Sequence, residues 1–193
     1  MSDTSSKYAW PIALALAGLL AVTRSHHYAD IHHLPDATWA IFFLAAVYLR
    51  PVWILPLLLA EAAAVDYVSI VWDDVSSFCV SPAYGLLVPA YGVLWLAGRW
   101  YGRRHVFGWD ALLPLNAGVL AGAALCELLS GGGFYWLSGR FGETSLLELG
   151  SRLVRYFPLS LSAMAFYLGL AVTVHVVLTV AAGRRVITGV AKR

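Results

Sequence analysis

Charge is scarce in this sequence. Only 13 Lys and Arg and 11 Asp and Glu stand among 193 residues, 12% together, against 60% hydrophobic residues, and that balance excludes a water-soluble globular domain. There is no Gly-x-x-x-x-Gly-Lys-Ser/Thr phosphate loop, and the spans leave no room for a soluble ATPase module. Any energy source must therefore come from a partner or a gradient. The net charge of +2 is small and its basic residues are scattered, so nucleic acid is excluded as a partner. No small-residue cleavage site follows the apolar stretch Tyr8 to Val22, which reads as a retained first helix and not a signal peptide. No internal repeat is evident, which argues against an inverted-repeat transporter.

What is there is a succession of apolar runs. They predict an all-α integral membrane protein of a single domain, residues 1–193, whose partner is the lipid bilayer. The helices fall at roughly Tyr8 to Thr23, Ala37 to Leu49, Pro51 to Trp72, Pro82 to Trp100, Trp109 to Ser130 and Arg152 to Ala182, six crossings of a core about 30 Å thick. Three longer loops remain: Arg24 to Asp36, Asp73 to Ser81, and Gly131 to Ser151. The last opens with Gly131-Gly132-Gly133 and reads as a flexible strip carrying Phe134, Tyr135 and Trp136. Lys and Arg near the helix ends divide nine to four: Lys7, Arg50, Arg99, Arg103, Arg104, Arg184, Arg185, Lys192 and Arg193 against Arg24, Arg140, Arg152 and Arg155. The basic side is expected in the cytoplasm, with both termini, and the three long loops open outward.

Charges within spans call for an explanation. Asp66 lies about 9 Å below the outer end of the third helix at Trp72, and Glu127 near the outer end of the fifth; both can face an outward vestibule. Glu61, near mid-membrane, reads as a buried structural group, and His175 as a hydrogen-bonded core residue. Cys79 stands just before Pro82, whose place is the first turn of a helix, where free amides lower a neighbouring thiol's pKa. A thiolate there is a soft donor and a nucleophile; the alternatives are an unreactive loop cysteine or a disulfide with Cys126. His26, His27, His32 and His33, with Asp30 and Asp36, form either a divalent-metal site or a solvated polar loop. Tyr84, Tyr135 and Trp136 add aromatic faces at the same level, either an interfacial belt or part of a ligand pocket. Ala9, Ala13, Ala17 and Ala21 make a smooth face on helix one, for internal packing or for docking on another subunit, and Gly118 and Gly122 make a second face, read as internal packing.

The run Asp66-Tyr67, then Trp72-Asp73-Asp74-Val75-Ser76-Ser77-Phe78-Cys79-Val80-Ser81-Pro82-Ala83-Tyr84-Gly85, resembles the BtuM family of bacterial vitamin B12 transporters, relatives of the substrate-binding S-components of energy-coupling factor transporters. Length and helix plan agree along essentially the whole chain. The resemblance implies an S-component-like bundle in the bacterial cytoplasmic (inner) membrane, taking up cobalamin as its substrate. It makes Cys79 the axial cobalt ligand, Asp66 and Tyr84 pocket residues and His27 a further candidate, and it likens the alanine face of helix one to the surface that docks on an energy-coupling-factor subunit. Glu127, Tyr135 and Trp136 complete the candidate binding set. A thiolate on cobalt donates electron density to the ligand opposite, so Cys79-dependent loss of cyanide from cyanocobalamin, with a reductant for turnover, is the one chemical step expected. Two other readings stand beside it: a membrane thiol or redox enzyme using Cys79 with Asp66 and a histidine, and a cobalt or nickel permease using the four-His loop.

Overall fold

A computed structural model describes residues 4–24, 34–72, 80–104 and 109–181, and every regular element among them is helical. These are α1 (Thr4–Arg24), α2 (Thr38–Tyr48), α3 (Ile54–Trp72), α4 (Leu87–Arg104), α5 (Leu112–Glu127), α6 (Gly133–Leu137) and α7 (Leu146–Ala181). A 3₁₀ turn, Pro82–Leu86, leads into α4, and a π turn, Leu128–Gly132, joins α5 to α6. Among the described residues, three stretches are long and apolar enough to cross a membrane: α3, the continuous run Leu112–Leu137, and α7. The apolar part of α1, Ala9–Arg24, and α2 are shorter.

The short helix α2 is the centre of the bundle. Its residues from Ala40 to Ala46 are all buried, with α4 packed along it and α1 and α7 on its other sides; α4 in turn packs on α5. Backbone contact between α2 and α4 is possible because α4 carries Gly98 and Gly102, four residues apart. A Cβ on Gly98 would overlap the Phe43 carbonyl oxygen, and one on Gly102 would fall 3.0 Å from that of Val47. This is the small-residue logic by which membrane helices approach closely. Gly122 does the same on α5, where a Cβ would meet that of Ala97 at 3.0 Å, so the Gly118/Gly122 face packs internally as its spacing predicts.

At about 1.5 Å per residue, the 11 residues of α2 reach about half of a 30 Å hydrocarbon core. Its ends are accordingly capped by other parts of the protein. At the start, the Ala37 amide donates to Thr23 Oγ1 at 3.2 Å and the Thr38 amide to Asp36 Oδ1 at 2.8 Å. At the end, Arg99 Nη1 donates to the carbonyls of Leu49 at 3.1 Å and Arg50 at 2.8 Å. A second tie links α2 and α7 near this end, where Tyr48 Oη and His175 Nδ1 lie 3.4 Å apart with their rings stacked, in keeping with a hydrogen-bonded His175.

The structure corrects the predicted third loop. Residues 131–137 are helical, so Gly131-Gly132-Gly133 is not a flexible hinge but a point of close approach. A Cβ on Gly133 would collide with Leu86 Cδ1, and one on Gly131 would lie 2.7 Å from Glu127 Oε1. The last helix also begins at Leu146 and not Arg152, leaving a connection of only 138–145, in which Gly139 takes a left-handed φ of 68° that suits glycine.

Candidate functional site

Asp66 belongs to the buried stripe of α3: Ile54, Leu58, Ala62, Asp66 and Ser69 recur at helical spacing, which turns a carboxylate into the bundle among apolar neighbours. It does not face an open vestibule, being only 8% exposed. Arg24, the last residue of α1 and 3% exposed, supplies its counter-charge. The guanidinium grips the carboxylate with two bonds, Nε to Oδ1 at 2.8 Å and Nη2 to Oδ2 at 2.7 Å. Its Nη1 donates to Tyr91 Oη at 3.0 Å and Thr38 Oγ1 at 3.2 Å. Planar, bidentate pairing of this kind is what a buried carboxylate needs, and it leaves two opposite charges neutralised in one place.

Tyr84 completes the cluster, its hydroxyl donating to Asp66 Oδ2 at 2.6 Å. Pro82 occupies the start of the turn that carries Tyr84, after Ser81 in extended conformation, as its fixed φ favours. The Ser81 hydroxyl is buried and has no hydrogen-bond partner among the described residues. Tyr91 stacks on Phe42 of α2 with ring centroids 4.6 Å apart. Asp36 accepts from both the Thr38 amide and the Thr38 hydroxyl, and Tyr167 of α7 donates to the Pro35 carbonyl at 2.6 Å. One polar network thus joins the end of α1, the start of α2, α3, the 82–86 turn and α4.

A second cluster lies beside it, since α6 packs against the same turn. Tyr135 is buried and its hydroxyl is used twice: it accepts from the Ser145 amide at 2.8 Å and donates to Glu148 Oε2 at 3.1 Å. Arg152 binds Glu148 Oε1 through Nε at 3.0 Å and Nη2 at 2.8 Å. The same guanidinium sits 5.4 Å from the Tyr135 ring centroid and 4.4 Å from that of Phe141, a cation–π arrangement. Trp136 meets Tyr135 edge-on and is 45% exposed. Glu127 ends α5 half-buried, curled over Gly131.

Of the sequence-predicted residues, the structure therefore brings Asp66 and Tyr84 into contact, and places Tyr135, Trp136 and Glu127 around the neighbouring turn. Cys79, His26, His27, Asp30, His32 and His33 lie outside the described residues. Cys126 is a free thiol and fully buried, so it is not in a disulfide. Glu61 is half-exposed on the edge of the α3 stripe and not buried. Ala9 and Ala13 pack against the core, while Ala21 is exposed, so the alanine face serves internal packing at its first two positions. Among the described residues no group of three or more His, Cys, Asp or Glu could hold a metal ion.

Sequence reading missed Arg24, Thr38 and Tyr91. The signal for Arg24 was there: a carboxylate about 9 Å inside a span requires a cation at the same depth, and Arg24 closes an apolar helix on the same side of the bilayer. No protein-family model matches the chain, and no curated protein is significantly similar to it.

Proposed function

We propose that this protein is a six-span cobalamin uptake protein of the bacterial cytoplasmic membrane, with an S-component-like bundle and both termini in the cytoplasm. The observation that carries the reading is the Tyr84–Asp66 hydrogen bond of 2.6 Å. The resemblance singles out these two residues from separate stretches of chain as members of one pocket, and they meet. In the chain, His27 and Cys79 fall between elements of this network, after α1 and α3 respectively.

In this reading Cys79 is the axial cobalt ligand, and Asp66 and Tyr84 form the floor of the site, with His27, Glu127, Tyr135 and Trp136 around it. Removal of cyanide would be a double ligand exchange: the thiolate lone pair forms the cobalt–sulfur bond in place of the ligand on its own face, and cyanide on the opposite face departs with its bonding pair, its position taken by water. Cobalt keeps its oxidation state, and thiolate donation weakens the bond opposite. A one-electron reductant would then take cobalt(III) to cobalt(II), which holds its axial ligands more weakly, and so free the thiolate for the next cycle. The six crossings are α1, α2 with its flanking residues, α3, α4 with its turn, the α5–α6 run, and α7; the Lys and Arg division sets the orientation. Coupling to an energy-coupling-factor subunit would use the exposed side of α1.

The test is the visible spectrum of the purified, detergent-solubilised protein after incubation with cyanocobalamin, beside a Cys79→Ala control. A bound corrin whose bands shift only when Cys79 is present supports both uptake and thiolate coordination. Absence of corrin from both proteins overturns the cobalamin reading in favour of a thiol enzyme or a metal permease.

A further inference from the structure

A buried ion pair is poor value as a source of stability, because desolvation of both charges offsets most of their attraction and apolar residues of similar volume serve as well. What the ionic version adds at this site is direction. Asp66 Oδ1 accepts from Arg24 Nε, and Oδ2 accepts from both Arg24 Nη2 and Tyr84. With both oxygens held by a planar fork, the carboxylate cannot rotate about its own axis, and the second lone pair of Oδ2 is aimed at the Tyr84 hydroxyl. Arg24 is itself fixed from the other side by Tyr91 and Thr38, and Tyr91 by its stacking on Phe42. The Pro82–Leu86 turn is therefore pinned twice, by Tyr84 to the ion pair and by Leu86 against the glycine at 133.

We propose that Arg24 is a positioning residue: by locking the Asp66 carboxylate it holds Tyr84, and with it the Pro82–Leu86 turn, in the one place from which this end of the bundle binds its ligand. Within the floor of the site, Asp66 and Tyr84 act by holding that turn. The functional half of this inference rests on the cobalamin reading, whereas the mechanical half does not.

The experiment pairs amide hydrogen exchange with cyanocobalamin titration in two variants of the full chain. Tyr84→Phe removes one hydroxyl and leaves the ion pair; Arg24→Met with Asp66→Leu removes both charges together and strands neither. In both, the amides of Tyr84 and Leu87 should exchange about tenfold faster or more, the scale of one hydrogen bond to a charged group. Exchange elsewhere in α4 should stay as in the wild type, and cyanocobalamin affinity should fall by a similar factor, while the spectrum of whatever corrin still binds keeps its thiolate shift. That preserved shift separates loss of positioning from loss of a ligand. Wild-type exchange at the turn in the double variant overturns the proposal, and so does wild-type affinity beside accelerated exchange. If the wild-type protein binds no corrin, the uptake reading falls, and the exchange data still decide whether Arg24 holds the turn.

Discussion

Removing one member of the Arg24–Asp66 pair should be far more damaging than removing both. In Asp66→Leu, the Arg24 guanidinium keeps only the neutral oxygens of Tyr91 and Thr38 and remains an uncompensated cation that is 3% exposed. In Arg24→Met, Asp66 keeps only the Tyr84 hydroxyl. Stranding one buried charge costs about 3–5 kcal/mol, whereas replacing both partners with apolar groups of similar volume is often neutral. Each single variant should therefore lose about 3–5 kcal/mol and the double variant about 1 kcal/mol or less, a coupling of several kcal/mol. The assay is reversible unfolding by a denaturing detergent, titrated into mixed micelles and followed by circular dichroism, for all four corners of the cycle. Single variants within about 1 kcal/mol of wild type, or a double variant whose loss is the sum of the two, would refute the reasoning and return Arg24 to an exposed role.

Three further outcomes follow from the same geometry. Gly133→Ala should destabilise by about 1–3 kcal/mol, the usual range for overpacking, and adding Leu86→Ala should recover most of that in the same unfolding assay, since Leu86 Cδ1 is the atom in the way. Tyr135→Phe should cost about 1–3 kcal/mol because it takes the acceptor from the Ser145 amide and the donor from Glu148 Oε2, while Arg152 still holds Oε1; a change under about 0.3 kcal/mol would mean that water takes over both bonds. Cys126→Ala should leave the number of maleimide-reactive thiols in the folded protein unchanged, as the buried thiol is shielded until the bundle opens, and mass spectrometry after labelling reads this directly.

Much of the helical plan was legible because apolar runs of span length have one physical meaning. The run from Pro51 to Trp72 differs from α3 by three residues at its start, where Val52 and Trp53 form a turn, and not at all at its end. Glycine was harder to read. Gly131-Gly132-Gly133 reads as a flexible connection because that is glycine's commonest meaning between periodic segments, yet here the missing side chains let a helix pass against the 82–86 turn. Gly98 and Gly102 have the same function where α4 meets α2. The site was half legible for a different reason. An intramembrane carboxylate announces itself, so Asp66 stood out; its partner sat at a helix end, where an arginine is unremarkable. Tyr91 and Thr38 could not be singled out, since nothing in a sequence says which of ten tyrosines lies beside a buried guanidinium.

The capping of α2 sets an order of assembly. The carbonyls at its end are met by Arg99, a residue the ribosome adds about fifty positions after them. Until α4 is made, the end carbonyls of α2 lack their Arg99 donor and have water to bond instead. The central helix of the finished protein is thus completed late, and a chain interrupted between residues 50 and 99 would leave its end uncapped.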